Sequence, residues 1–240
     1  MAHGPWPKTF PPLTAEQERI RDDFMRHWHE VLPRRYGVVE RFSHGYVVDH
    51  APPGFARTLE VGAGLGEHLD YERLTAAQRA AYVALELRPN MASEITRRHP
   101  EVRALVGDVQ DRLDVPDGTF DRVVAVHVLE HLPDLPRAVA ELHRVCAPGG
   151  VLQAVIPCEG GLAYGLARRI SAQRLFERRY RQPYRWFIER EHVNRPGEIL
   201  EVLSERFEVT HRAFFPLLVP VVTVNLCLGL TLRPRPAAGA

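Results

Sequence analysis

The chain has 240 residues, 45% of them apolar and 25% charged, with a formal net charge of +1. That length supports one well-packed core with a small appendage, and the near-neutral charge gives no global attraction for nucleic acid or an anionic bilayer. Cys146, Cys158 and Cys227 are scattered without a CxxC pair. This excludes a disulfide scaffold and a cysteine-rich zinc site, and it suits a reducing, cytoplasmic setting.

Met1 to Pro12 holds four prolines and no apolar run, unlike a secretory signal. Thr14 to Leu32 reads as an amphipathic helix. Thr14 and Gln17 form a reciprocal cap, Ile20, Phe24, Trp28 and Val31 make an apolar stripe, and Pro33 is expected to stop it. Tyr36 to His50 reads as a second short helix, and Pro52-Pro53-Gly54 marks a boundary. Residues 1–54 therefore form an expected helical cap ahead of a core at 55–232, with a loose tail at 233–240.

Within the core, strands are expected at Thr58–Val61, Ala81–Leu85, Val102–Val106, Phe120–Val126, Val151–Ile156, Phe207–Phe215 and Val222–Leu232. Helices are expected at Glu67–Leu74, Asn90–His99, Leu135–Cys146 and Arg195–Ser204. Apolar strands without strict alternation, separated by helix-length segments, predict an α/β fold with a mostly parallel sheet covered on both faces. No helix intervenes between the last two strands, which predicts a hairpin and an antiparallel edge. Ala213 to Leu232 carries no charge and is long enough to span a bilayer. Pro216, Pro220, Asn225 and Gly229 interrupt it, and its β-branched content favours a buried hairpin.

The segment Thr58-Leu59-Glu60-Val61-Gly62-Ala63-Gly64-Leu65-Gly66 runs from a buried strand into a glycine turn. Such a turn lets a ligand approach the backbone. Glu60 disfavours a pyrophosphate there and suits an amine or sulfonium. Glu86 ends the second strand, where a carboxylate can accept hydrogen bonds from ribose hydroxyls. Asp108 ends the third and is suited to an adenine amino group or an Asx turn, with Val109 or Leu87 packed on the ring. After the fourth strand come His127, Glu130 and His131, and a histidine titrates in the range useful to a general base. His127 and His131 are four apart, but the His-Glu-x-x-His arrangement of helical zinc sites is absent, so no metal is expected.

Leu59–Gly66, Glu86, Asp108-Val109, His127–Leu132 and Leu142–Ile156 together resemble the motifs of class I S-adenosylmethionine-dependent methyltransferases. The resemblance is to the small-molecule branch related to ubiquinone and menaquinone biosynthesis. It implies a Rossmann-like seven-stranded sheet with an antiparallel last strand, S-adenosyl-L-methionine as cofactor, and methyl transfer to oxygen, nitrogen or activated carbon. It places Gly62 and Gly64, with Ala63 and Gly66 beside them, at the methionine end of the cofactor. Glu60 is placed at its amino group and His127 beside the reactive methyl.

Pro157 to Asn194 is a long insertion with eight arginines, Arg168 among them, interleaved with Tyr164, Phe176, Tyr180, Tyr184, Trp186 and Phe187. It reads either as a lid for an acidic, phosphorylated or lipid-linked substrate or as a solvated helix with aromatic anchors. Tyr46, Tyr164, Arg168 and Tyr184 are the expected substrate contacts, and His192 is a second candidate base. Asn194 before Pro196 reads as a helix cap. RNA binding is disfavoured without a basic surface elsewhere, while peripheral membrane contact and a homodimer stay open. The rival functions are an NAD-dependent oxidoreductase and a non-catalytic binding protein on the same fold.

Overall fold

The computed structural model describes residues 6–35 and 37–236, the stretch 28–35 by its backbone only. The expected contributions of Trp28 and Val31 lie outside the described side chains, and half of the expected tail, 237–240, lies outside the described residues, while Arg233 and Pro234 belong to the last strand. Seven strands form one sheet: β1 (Thr58–Val61), β2 (Tyr82–Glu86), β3 (Arg103–Val106), β4 (Phe120–Val126), β5 (Cys146–Pro157), β6 (Phe207–Phe215) and β7 (Cys227–Pro234). Their order is β3-β2-β1-β4-β5-β7-β6. β7 alone runs antiparallel, paired to both β5 and β6. The hairpin therefore closes the sheet as expected, but the reversed strand lies inside and β6 is the edge. β1 and β2 are buried at every position, as strands covered on both faces must be.

Nine helices pack around the sheet among the described residues. They are α1 (Ala15–Arg35), α2 (Gly37–Asp49), α3 (Ala76–Ala80), α4 (Pro89–Arg98), α5 (Leu135–Val145), α6 (Leu162–Arg168), α7 (Arg174–Tyr180), α8 (Arg185–Glu191) and α9 (Pro196–Arg206), with a π-helical turn at Arg169–Gln173 joining α6 to α7. Helix α5 shows how the sequence sets an element. The Asp134 carboxylate accepts from the Arg137 amide, and Leu135, Ala138, Val139, Leu142 and Val145 bury one face.

Several expectations shift. Helix α1 continues past Pro33 to Arg35, because a proline forfeits its own amide bond without preventing the next residues from making theirs. The expected helix at Glu67–Leu74 is only a 3₁₀ turn at His68–Asp70. Here His68 and Glu72 turn inward to a buried arginine instead of following a helical stripe. β7 starts at Cys227, not Val222. The fully buried Asn225 accepts from the Leu217 amide at 2.8 Å and donates to the carbonyls of Val219 and Val221, holding a loop where a strand was expected. The tip of that hairpin is not buried, since Leu217, Leu218, Val219, Val221 and Val224 are all exposed. Among the described residues no helix is long and apolar enough to cross a membrane.

Arg122 on β4 is completely buried. Its guanidinium lies 2.7 Å from Glu72 Oε1, donates to Gln153 Oε1 at 2.8 Å and to the Val47 carbonyl at 3.2 Å, and sits over the Phe55 ring. It thereby ties α2, the 68–72 turn, β4 and β5 together. A second core joins α1 to the insertion: Phe24 makes edge contacts, centroid to centroid 5.1 Å, with both Phe176 and Phe187.

Burial acts to raise the Glu72 pKa, but contact with His68 and Arg122 outweighs it and holds the value down to about 2. A carboxylate depressed in the folded state stabilises above its unfolded pKa and loses that contribution as pH falls towards the folded value. Glu72→Gln is expected to cost roughly 3–5 kcal/mol at pH 7, because it strands a buried cation. In urea melts the penalty should shrink steadily as pH drops below about 4.5.

Candidate active site

The glycine turn after β1 is built from left-handed backbone: φ is +64° at Gly62, +59° at Gly64 and +83° at Gly66. A Cβ on Gly62 would stand 2.6 Å from Val128 Cγ2, so side chains are excluded by both conformation and space. The Ala63 amide donates to the Leu85 carbonyl at 3.1 Å, drawing the turn against the end of β2. There the buried Glu86 carboxylate accepts from the Gly64 amide and from the Arg88 amide, both at 3.0 Å. β3 joins through Val106, in register with Glu86, and the Gly107 amide donates to the Glu86 carbonyl. Gly64, Glu86 and Asp108 therefore sit at the carboxyl ends of three neighbouring parallel strands.

Within that group the residues differ. Glu60 is buried and accepts from the Tyr82 hydroxyl at 2.8 Å, and burial raises its pKa against the opposing pull of His68 and Tyr82. Asp108 accepts from the Gln110 backbone amide at 2.9 Å and from its side-chain amide, an Asx turn that leaves further acceptor capacity. Val109 is buried in the main core, and Leu87 is exposed at 61%. Glu67, which sequence reasoning missed, folds back so that its carboxylate accepts from the Leu65 amide at 2.8 Å.

Beyond the turn lies a cavity of about 410 Å³, lined by Glu60, Gly62, Ala63, Gly64, His127, Glu130, His131, Tyr164, Arg168, Tyr184 and His192 among others. His127 closes β4 with φ +54°, a strained conformation for a histidine. Its Nε2 is 2.9 Å from Ser43 Oγ on α2, and its Nδ1 is 3.4 Å from Glu130 Oε1. Burial alone would lower its pKa, but Cys227 and Glu130 outweigh that and raise it to about 10. That upward shift favours a protonated His127 that orients its neighbours over one that acts as a general base. Nor do His127 and His131 share a helix, since Leu129–His131 is a 3₁₀ turn.

The insertion forms one wall. Tyr164, Arg168 and Tyr184 line the cavity as expected, and Arg168 pairs with Glu159 at 2.8 Å. His192 Nδ1 bonds the other Glu159 oxygen. Asn194 does not cap α9. Its side chain donates to the carbonyls of Leu129 and Leu132, and Arg195 is the cap residue instead. Tyr46 is also corrected: its ring is buried against Gly229, where a Cβ would come within 2.6 Å, and its hydroxyl is 3.1 Å from Thr231 Oγ1. It belongs to the core, not to the cavity. Ser43, His44, Glu159 and Cys227 were not among the expected site residues, and they reach the site from elements read as cap, lid insertion or hairpin. No local motif marks them.

Residues 59–154 match the family model described as a methyltransferase domain. That match and the relatives that follow support a class I, S-adenosylmethionine-dependent methyltransferase. Among curated relatives, the malonyl-[acyl-carrier protein] O-methyltransferase of Serratia marcescens is 33% identical over 94 residues, 39% of this chain and 35% of that protein. The demethylmenaquinone methyltransferase of Thermus thermophilus is 34% identical over 126 residues, 50% and 56% of the two chains. The matched region spans between about a third and just over half the length of these relatives. A TehB-like SAM-dependent methyltransferase structure from Corynebacterium glutamicum superposes with TM-score 0.58 at 19% identity, covering 91% of this chain and all of that one, which shows the shared fold. The glycine turn and Glu86 of the methyltransferase domain fit an S-adenosyl-L-methionine cofactor: the turn leaves backbone exposed to a ligand, and the carboxylate is held at its edge.

Gly62→Ala in this methyltransferase domain should destabilise the fold by about 2–4 kcal/mol, combining a left-handed penalty with overpacking against Val128. Thermal melts of the purified variant measure it. An unchanged midpoint would mean that the turn tolerates a side chain.

Proposed function

We propose that this chain transfers a methyl group from S-adenosyl-L-methionine to a small molecule with an apolar body and an anionic group, taken from a membrane surface. The observation that carries the reading is the junction of the Glu86-braced glycine turn with the lid-walled cavity, which joins a cofactor cradle to an acceptor chamber. Glu86 would hold the ribose hydroxyls, Asp108 with Val109 the adenine, and Glu60, Gly62 and Gly64 the methionine end. When bound, the cofactor supplies an electrophilic methyl on a sulfonium. The protein's own part is alignment and exclusion of water. His127, held between Ser43 and Glu130, would present positive charge to the acceptor end of the cavity. Burial lowers the His131 pKa despite Glu130, which favours keeping a ring-nitrogen lone pair available toward the cavity.

Two features support the substrate class. Arg168 Nε is buried and lacks a partner among the described residues, which suits an anionic group entering the cavity. Helix α6 turns Tyr164 and Arg168 to the cavity, while Leu162 (77% exposed), Leu166 and, on the following π turn, Ile170 face outward. The apolar 217–224 loop packs beside this helix, a Cβ on Gly161 falling 2.7 Å from the Val222 carbonyl. Among the described residues, the nearby exposed Arg169 and Arg174 make no ion pair. Apolar side chains flanked by free guanidinium groups suit an anionic phospholipid surface. Names such as demethylmenaquinone methyltransferase and phosphatidylethanolamine N-methyltransferase among the relatives agree with a lipid-like acceptor.

Glu86→Ala should weaken S-adenosylhomocysteine binding at least tenfold in calorimetric titration while the fold persists. Undiminished affinity would overturn the cofactor assignment. The wild-type chain should cosediment with phosphatidylglycerol-containing vesicles and Leu218→Asp should not. Equal sedimentation of the two would remove the membrane from the reading.

A further inference from the structure

Three side chains in the acceptor end of the cavity face one another, each partnered through one atom and each with a second ligand atom left over. Glu130 is 1% exposed, and its Oε2 has no hydrogen-bond partner among the described residues. His127 meets only Oε1, at 3.4 Å. His131 donates from Nδ1 to the Glu191 carbonyl at 2.6 Å, which leaves its Nε2 as a lone pair, 3.9 Å from Glu130 Oε1. His192 is held through Nδ1 by the Glu159 carboxylate, which frees its Nε2 in the same way. The two imidazoles meet edge to face, with centroids 4.9 Å apart. One ligand atom from each of Glu130, His131 and His192 lies within 4.8 Å of the others.

We propose that Glu130, His131 and His192 bind a divalent transition-metal ion, zinc by their donor set, at the acceptor end of the cavity. Two neutral imidazoles and one carboxylate, with the remaining position open, form a set that zinc takes in sites meant to receive a further ligand. Each histidine already has the outer partner that fixes its tautomer and turns its other nitrogen inward: the Glu191 carbonyl for His131 and the Glu159 carboxylate for His192. The frame is braced as well. Asn194 donates from its backbone amide to the Glu130 carbonyl and from its side chain to those of Leu129 and Leu132, so the end of the insertion carrying His192 is tied to the segment carrying Glu130 and His131. Tetrahedral ligands at zinc stand about 3.4 Å apart, given bonds of roughly 2.0–2.1 Å. An ion would therefore draw the three groups inward by a small turn of the partly exposed His131 and His192 rings. His127, the histidine that spacing along the chain pairs with His131, is not part of the set.

Such an ion would leave a coordination position facing the cavity and would select an acceptor bearing oxygen, a phenol, enol or carboxylate, over an amine. That consequence rests on the methyl-transfer reading; the binding of the ion does not. The test uses the full chain stripped with chelator, titrated with Zn²⁺ alone in a calorimeter and with Co²⁺ followed by visible absorption. One equivalent should bind, with Co²⁺ bands of a histidine-ligated centre that chelator abolishes. His192→Ala and Glu130→Gln should each weaken binding at least tenfold, and Glu159→Gln, which touches only the outer partner, by about 10–100-fold. Glu130 is buried, so circular dichroism must show that its variant is folded; His192, near the surface, serves as the test if it is not. No stoichiometric binding by the wild type would overturn the proposal. So would binding that His192→Ala leaves unchanged, since that ion would sit elsewhere, for example beside His44 and His68. S-adenosylhomocysteine affinity measured on the same samples separates the two readings: zinc bound without cofactor affinity sinks methyl transfer alone, and cofactor bound without zinc sinks the metal site alone.

Discussion

A single buried cation organises this molecule. Arg122 has no exposure, and a guanidinium in that position is tolerable only when its charge is paired and most of its N–H groups are bonded. Glu72, Gln153, the Val47 carbonyl and the Phe55 ring supply those partners from four separate pieces of chain. The consequence reaches the site. Helix α2, fastened at Val47, brings Ser43 to His127. The 68–72 turn, fastened at Glu72, holds His68 beside His44, whose pKa burial, aided by His68 and His127, pushes down to about 3.

The two halves of the site are stabilised by different physics. The glycine-turn half is backbone: parallel strands fix where the turn emerges, and left-handed φ values keep it free of side chains. The cavity half is side chain: aromatic rings of α1 and the insertion pack around Phe24, and hydrogen bonds from Asn194 close the far end. A rigid cradle under a replaceable lid is how one fold serves many acceptors. It also explains why solved structures under 20% identical share the fold while nothing in their likeness specifies the acceptor.

Much of the glycine-turn half is legible in the amino-acid order. Gly62, Gly64, Glu86 and Asp108 each end or follow a strand within one stretch of alternating elements, and local order suffices to put them side by side. Reading fails where a side chain's fate depends on a distant neighbour. Tyr46 has the look of a ligand contact, yet Gly229 offers its ring a flat place on β7. Asn194 has the look of a cap, yet its side chain is taken by the carbonyls of Leu129 and Leu132. His127 has the look of a base, yet Glu130 and Cys227 keep it protonated.

The sequence by itself determined the seven strands, their mostly parallel sense and the glycine turn, because buried periodicity and turn chemistry act over a few residues. Tertiary structure alone decided that Glu130, His131 and His192 meet, that Arg122 clamps the cap to the sheet, and that the hairpin tip stays exposed. Those outcomes turn on which faces touch across separations of 50 residues and more. Such contacts are selected by the desolvation of buried charge and by shape, and neither is written in the spacing of any one segment.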